Sequence, residues 1–169
     1  RFDGVVRLSE QGLADWPLVG RILADRVAAL SSDPSRESVL VIAHGPGDDA
    51  ENARWLSAME ARLEAVRRLG PFREVRCETL REDWPDKRAA AEARIRAFVA
   101  ERTDAGERVL VVPFRVAGFG PYAEVLSGLS YVADGRGLCP HPLVTRWLAE
   151  QAEALFEEQS QQQGAAGPR

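Results

Sequence analysis

The chain has 169 residues, 45% of them hydrophobic and 28% charged, which suits one domain with a real core. A formal net charge of −4 gives no sign of the basic face that nucleic-acid binding needs, so any anionic ligand must be met by local arginines. No apolar run approaches membrane-spanning length and no secretory signal is visible. The two cysteines, Cys77 and Cys139, lack CxxC spacing, and we expect reduced thiols in a cytoplasmic setting. Because the chain starts at Arg1 and not Met, we expect a fragment or a processed product.

Residues 1–14 are ambiguous, and Phe2, Val5, Val6 and Leu8 suit a short strand. Pro17 is a good first helical residue, and Leu18, Val19, Ile22, Leu23 and Val27 set an apolar face for a helix over 17–30. A Ser-Ser-Asp-Pro linker follows. Residues 39–43 form a continuous apolar run, as a buried parallel strand requires. It ends at His44, and Gly45, Pro46 and Gly47 make a turn. Asp48 or Asp49 caps a helix carrying Trp55, Leu56, Met59, Leu63 and Val66, which Gly70-Pro71 stops.

Residues 72–79 alternate and read as an edge-like strand. A helix beginning at Trp84-Pro85 presents Ala91, Ile95, Phe98 and Val99 and ends near Gly106. Residues 109–114 are a second buried strand. A Gly-Phe-Gly-Pro turn leads to a short helix over 122–129, residues 131–133 make a weak last strand, and His141-Pro142 opens a helix to about Glu158. Residues 159–169 are of low complexity and expected to be disordered. Strands alternating with helices argue for a parallel sheet with helices on both faces, and for a switch point that sets the 43–47 and 114–121 loops side by side. Residues 17–24 (Pro-Leu-Val-Gly-Arg-Ile-Leu-Ala) match 142–149 (Pro-Leu-Val-Thr-Arg-Trp-Leu-Ala). Either two amphipathic helices agree by chance, or residues 1–30 are the tail of a preceding, duplicated half-domain.

His44 is one of two histidines. At a strand end it is a capping residue, or else a metal ligand or general base, because neutral imidazole does both near pH 7. Gly45 beside it lets a ligand approach the backbone. Glu124 could accept a proton or bind a cation facing His44, or be a solvated helix charge. Arg115, just past the second buried strand, and Arg136, in a Gly-flanked loop, could hold a carboxylate-rich ligand; Arg115 could instead pair with Glu124 or another acid. His141 lies close to Cys139, but two ligands do not make a zinc site, and a helix-start role is the plainer one. The Gly-Pro-Gly turn has neither the third glycine of GxGxxG nor the lysine of a P-loop, so no nucleotide cofactor is expected. Ser127 has no histidine near it in sequence, which leaves a hydrolase triad without support.

Val-Leu-Val-Ile-Ala-His44-Gly45, the later Asn52, Val-Val-Pro113-Phe114 with its glycine-rich continuation, and Pro140-His141-Pro142-Leu143 before a final helix resemble the sirohydrochlorin cobaltochelatase (CbiX-type) half-domain. That family belongs to the class II chelatases related to ferrochelatase. The resemblance covers roughly 37–155 and, through the repeat, extends to about 15–30. It implies an α/β three-layer sandwich of flavodoxin-like shape, with a four-stranded parallel sheet flanked by helices, over 35–158. Residues 1–34 are then a helical segment and linker, and 159–169 a tail. It also implies two lobes around a cleft, from duplication in one chain or from a homodimer, and insertion of a divalent metal (cobalt, nickel or iron, as substrate) into a tetrapyrrole. His44 matches the family's first metal-facing histidine. The second falls near Pro121, where Glu124 is the available substitute as ligand or base. Arg115 and Arg136 would pair with the ring's peripheral carboxylates. Two other readings stand beside this one: a non-catalytic tetrapyrrole- or metal-binding lobe that completes a two-lobed fold, and a purely structural interaction domain.

Overall fold

The computed structural model describes residues 6, 8 and 12–165. The strand expected at the N-terminus lies outside these residues apart from Val6 and Leu8, which are both exposed. The elements run α1 (Val19–Leu30), β1 (Glu37–Ala43), α2 (Asp49–Arg67), β2 (Glu74–Thr79), α3 (Pro85–Asp104), β3 (Arg108–Phe114), α4 (Tyr122–Val125) and α5 (Pro142–Ala165). A short 3-10 turn, Leu13–Asp15, precedes α1.

The sheet is parallel and three-stranded, in the order β2-β1-β3. Every residue of β1 is buried, because the strand has a neighbour on both edges and helices on both faces. The period-2 alternation divides its side chains between two cores. Val39, Val41 and Ala43 join Leu110 and Val112 beneath α1 and α2, packing on Ile22, Leu23, Val27, Met59 and Leu63. Leu40 and Ile42 join Val109 and Val111 on the other face, against Ile95, Phe98 and Val99 of α3 and Tyr122 and Leu126. Gly20 lets α1 and α2 close up: a Cβ there would lie 2.8 Å from the Arg62 carbonyl oxygen.

The fourth strand expected at 131–133 is reduced to one bridge between Leu110 and Val132. Val132 donates to the Val109 carbonyl and accepts from the Val111 amide, both at 2.8 Å. In a parallel ladder the next rung would need an amide hydrogen at position 113. Proline has none, so pairing stops there.

Other boundaries shift by small amounts. Pro17 sits in the turn before α1, whose first residue is Val19. Asp48, not Asp49, caps α2, its carboxylate accepting from the Glu51 amide at 2.7 Å. The helix expected over 122–129 is the single turn Tyr122–Val125. The last helix runs past Glu158 to Ala165, through a stretch whose composition suggests disorder but whose glutamines are good helix formers; residues 166–169 lie outside the described ones.

Buried Arg26 ties α1 to the segment before α5, donating to the carbonyls of Gly137 (2.9 Å) and Pro140 (2.8 Å). Next to it, Asp25 meets His141 Nε2 at 3.3 Å, while His141 Nδ1 accepts from the Leu143 amide at 3.2 Å and closes the start of α5. The two repeated segments are therefore both helices. In α1 Leu23 is fully buried, whereas its counterpart in α5, Leu148, is 56% exposed.

Candidate functional site

The strand order decides which loops meet. β1 has β2 on one side and β3 on the other, so Ala43 pairs with both Thr79 and Phe114. The chain leaves β1 in one direction and β3 in the other, and the crevice beyond this point is where open α/β sheets place ligands. His44 stands there with Arg115 and the residues after β2.

The loop after β1 is sewn to the loop after β2. The His44 carbonyl accepts from the Arg81 amide at 2.6 Å and the Glu82 amide at 3.3 Å. Arg81 has φ +60°, a left-handed conformation that costs a non-glycine residue roughly 1–2 kcal/mol. Its buried guanidinium offsets that cost by donating to the carbonyls of Pro46 and Gly47 and to Asp49 Oδ1, the last at 2.8 Å. Lys87 joins from α3, donating to Gly47 O at 2.7 Å and Asp49 at 2.6 Å. Hydrogen bonds from Lys87 and then Arg81 hold the Asp49 carboxyl below its usual range.

This stitching brings two carboxylates to His44. Nδ1 lies 3.1 Å from Glu82 Oε2, and Nε2 lies 3.0 Å from Asp83 Oδ2. Glu82 is largely buried and Asp83 exposed. The other oxygen of Glu82 accepts from Arg115. Arg115 is confined on two further sides: its Cζ lies 5.7 Å from the Tyr122 ring centroid, and a Cβ at Gly120 would fall 2.8 Å from it. Burial works against the guanidinium charge, but the interactions with Glu82 and Tyr122 together outweigh it and the pKa rises. The Tyr122 hydroxyl is pushed up as well, by its own burial. Trp84 closes the group, its indole edge-on to His44 with centroids 6.1 Å apart.

The same corner borders a cleft of about 790 Å³, in the usual size range of small-molecule sites. Leu13, Trp55, Met59, Phe114 and Leu138 give it apolar walls. His44, Arg115, Glu51, Arg54 and Asp15 supply its polar edges. Arg62 holds the Leu13–Asp15 turn in place as one wall by donating to the carbonyls of Ala14 (3.2 Å) and Asp15 (2.8 Å).

Of the candidate site residues, His44 and Arg115 come together at the cleft, and Glu124 and Arg136 do not join them. Glu124 is exposed on α4, on the α3 face of the sheet, whereas the cleft lies on the α2 face; the ion pairs of His44 among the described residues are with Glu82 and Asp83. Arg115 is paired with Glu82 and not with Glu124. Arg136 is exposed, 3.9 Å from Asp134, and does not line the cleft. Gly45 is buried with φ +80°, and a Cβ there would lie 2.6 Å from Thr79 Cβ, so its open side is filled by the protein's own chain and not left to a ligand. Asn52 lies just behind this turn, where its Oδ1 accepts from the Thr79 hydroxyl at 2.7 Å.

Glu82 and Asp83 escaped sequence reasoning, although the signal was there: Arg81-Glu82-Asp83-Trp84-Pro85 places two acids at the carboxyl end of a strand. Among the described residues, no three His, Cys, Asp or Glu side chains are arranged to hold a metal ion. The geometry explains this for the His44 group, since the two carboxylates sit on different ring nitrogens and do not converge on one point. Both cysteines are free. Among the described residues no helix is long and apolar enough to cross a membrane. Comparison with models of protein families, with curated proteins and with solved structures finds no match.

Proposed function

We propose that this chain is a chelatase-type lobe that helps to insert a divalent metal (cobalt, nickel or iron) into sirohydrochlorin or a related tetrapyrrole. The observation that carries this reading is His44: it stands on the wall of a largely apolar cleft, at the switch point of the sheet, with a carboxylate on each ring nitrogen. Metal insertion requires removal of two pyrrole protons and delivery of a partly desolvated cation. His44 is the residue placed to accept a proton or to hand over the metal, through Nε2, once the exposed Asp83 carboxylate swings away and that nitrogen gives up its proton, while Glu82 keeps Nδ1 in place. Glu82 takes the role of assisting base or ligand that the sequence offered to Glu124. Arg115, already engaged by Glu82, orients that carboxylate. The apolar walls would receive the face of the macrocycle.

The rest of the reading goes with this assignment: a chelatase-like fold, a cytoplasmic setting, and a second lobe, from the same polypeptide or from a second copy, facing the cleft. The test is cobalt insertion into sirohydrochlorin followed by absorbance. His44→Ala should lower the rate about 100-fold or more, the scale of a lost general base. An unchanged rate removes His44 from the mechanism.

A second reading, a tetrapyrrole-binding lobe without turnover, is favoured by one observation: both ring nitrogens of His44 already face carboxylates, and the two carboxylates do not converge on one point. It predicts saturable binding of sirohydrochlorin with no insertion at any metal concentration.

A further inference from the structure

We propose that Arg54 and Trp55, on the second turn of α2, are the recognition pair of the cleft: Trp55 packs on the face of a flat, carboxylated macrocycle and Arg54 takes one of its peripheral carboxylates. This assignment rests on the tetrapyrrole reading above and names the residues that select the ligand. Two arginines line the cleft, Arg54 and Arg115. Arg115 is held from three sides by Glu82, Gly120 and the Tyr122 ring, and its charge is already balanced by a largely buried carboxylate. Among the described residues Arg54 is held by Glu51 alone, three residues earlier on the same helix, and its side chain is 69% exposed. Such a surface pair contributes little and gives way to a competing carboxylate at small cost. Glu51 also accepts from Trp55 Nε1 at 3.1 Å, so one carboxylate sets both side chains at the rim. Trp55 is 39% exposed, an indole left uncovered at the edge of an apolar wall. The other charged groups that line the cleft disfavour a carboxylate elsewhere: Asp15 repels one, and His44 and Arg115 are already paired with Glu82, so the ligand's acidic edge belongs at Arg54, where it displaces Glu51.

The experiment is equilibrium binding of metal-free sirohydrochlorin to the whole chain, read by absorbance and tryptophan quenching at several salt concentrations. Arg54→Ala should raise Kd about tenfold, the worth of one charge-assisted pair, and flatten its salt dependence. Arg54→Lys should restore part of both, and Glu51→Gln, which frees Arg54, should tighten binding. Trp55→Ala should weaken binding without altering the salt slope. Arg146→Ala, an exposed arginine of α5, is the control and should change neither. Thermal melts of the α2 variants should match the parent, because both side chains lie at the surface. If sirohydrochlorin binds and Arg54→Ala leaves Kd and salt slope unchanged, the assignment is overturned and the chelatase reading stands. If Arg54 governs binding and no metal is inserted, only the chelatase reading fails. If the parent chain does not bind sirohydrochlorin, both fail.

Discussion

Glu82 bridges His44 and Arg115: one oxygen lies 3.1 Å from His44 Nδ1, and the other accepts from the Arg115 guanidinium. The carboxylate is largely buried between a histidine from the end of β1 and an arginine from the end of β3. Its removal leaves a half-buried cation without its partner and the imidazole free to turn. Glu82→Ala should cost about 1–3 kcal/mol in urea unfolding and about 10–100-fold in cobalt insertion. A variant with full activity would show that the bridge does not position His44.

Gly45 tests the turn that presents His44. Its φ of +80° is unfavourable for any residue with a side chain, and a Cβ would come within 2.6 Å of Thr79 Cβ. Gly45→Ala should destabilise the fold by about 2–4 kcal/mol, combining the conformational penalty with overpacking. The measurement is the urea midpoint. A midpoint equal to that of the parent would mean that β1 and β2 separate easily here.

Glu37 governs acid stability at the opposite end of the sheet. Burial opposes its charge, but hydrogen bonds from Ser31, the Ser32 amide and Arg108 outweigh this and lower its pKa from 4.5 to about 2. A carboxyl whose folded pKa is depressed contributes stability that is fully present above about 4.5 and is lost as pH falls toward about 2. The shift corresponds to about 3 kcal/mol. Unfolding free energies at pH 6 and pH 2.5 should differ for the parent chain, and Glu37→Gln should remove most of Glu37's share of that difference. An identical pH dependence in the variant would refute the assignment.

Cys77 is a thiol that should not react. Burial, and then the neighbouring Glu60 carboxylate, push its pKa from 9.0 up to about 12. At pH 8 its thiolate population falls roughly 1000-fold below that of an ordinary cysteine, and reagents that attack thiolates slow in proportion. Mass spectrometry after iodoacetamide treatment should find Cys77 unmodified in the native chain and modified in urea. Rapid native labelling would mean that β2 opens at the sheet edge.

Most of the elements were legible in the sequence, although the fourth strand and the helix after Pro121 came out shorter than expected. The unbroken apolar run at 39–43 fits a strand covered on both faces, and an aspartate, Asp48 or Asp49, before a 3.6-residue pattern marks a helix start; the structure has both, with Asp48 as the cap. The sequence also delivered His44 to a strand end, because that position follows from where the apolar run stops. Even the missing fourth strand was written in Pro113, though only a known ladder shows which edge its absent amide faces. Tertiary structure alone decided His44's company. Glu82 and Glu124 look alike in sequence, each an acid in the segment after a strand. The order β2-β1-β3 and the Arg81 stitch set Glu82 against the imidazole, while the packing of Tyr122 and Leu126 carries Glu124 to the other face. Hydrophobic periodicity reports which face of an element is buried and says nothing of which strands are neighbours. The partners of a residue at a strand end depend on that order, so they were fixed only when the sheet was assembled.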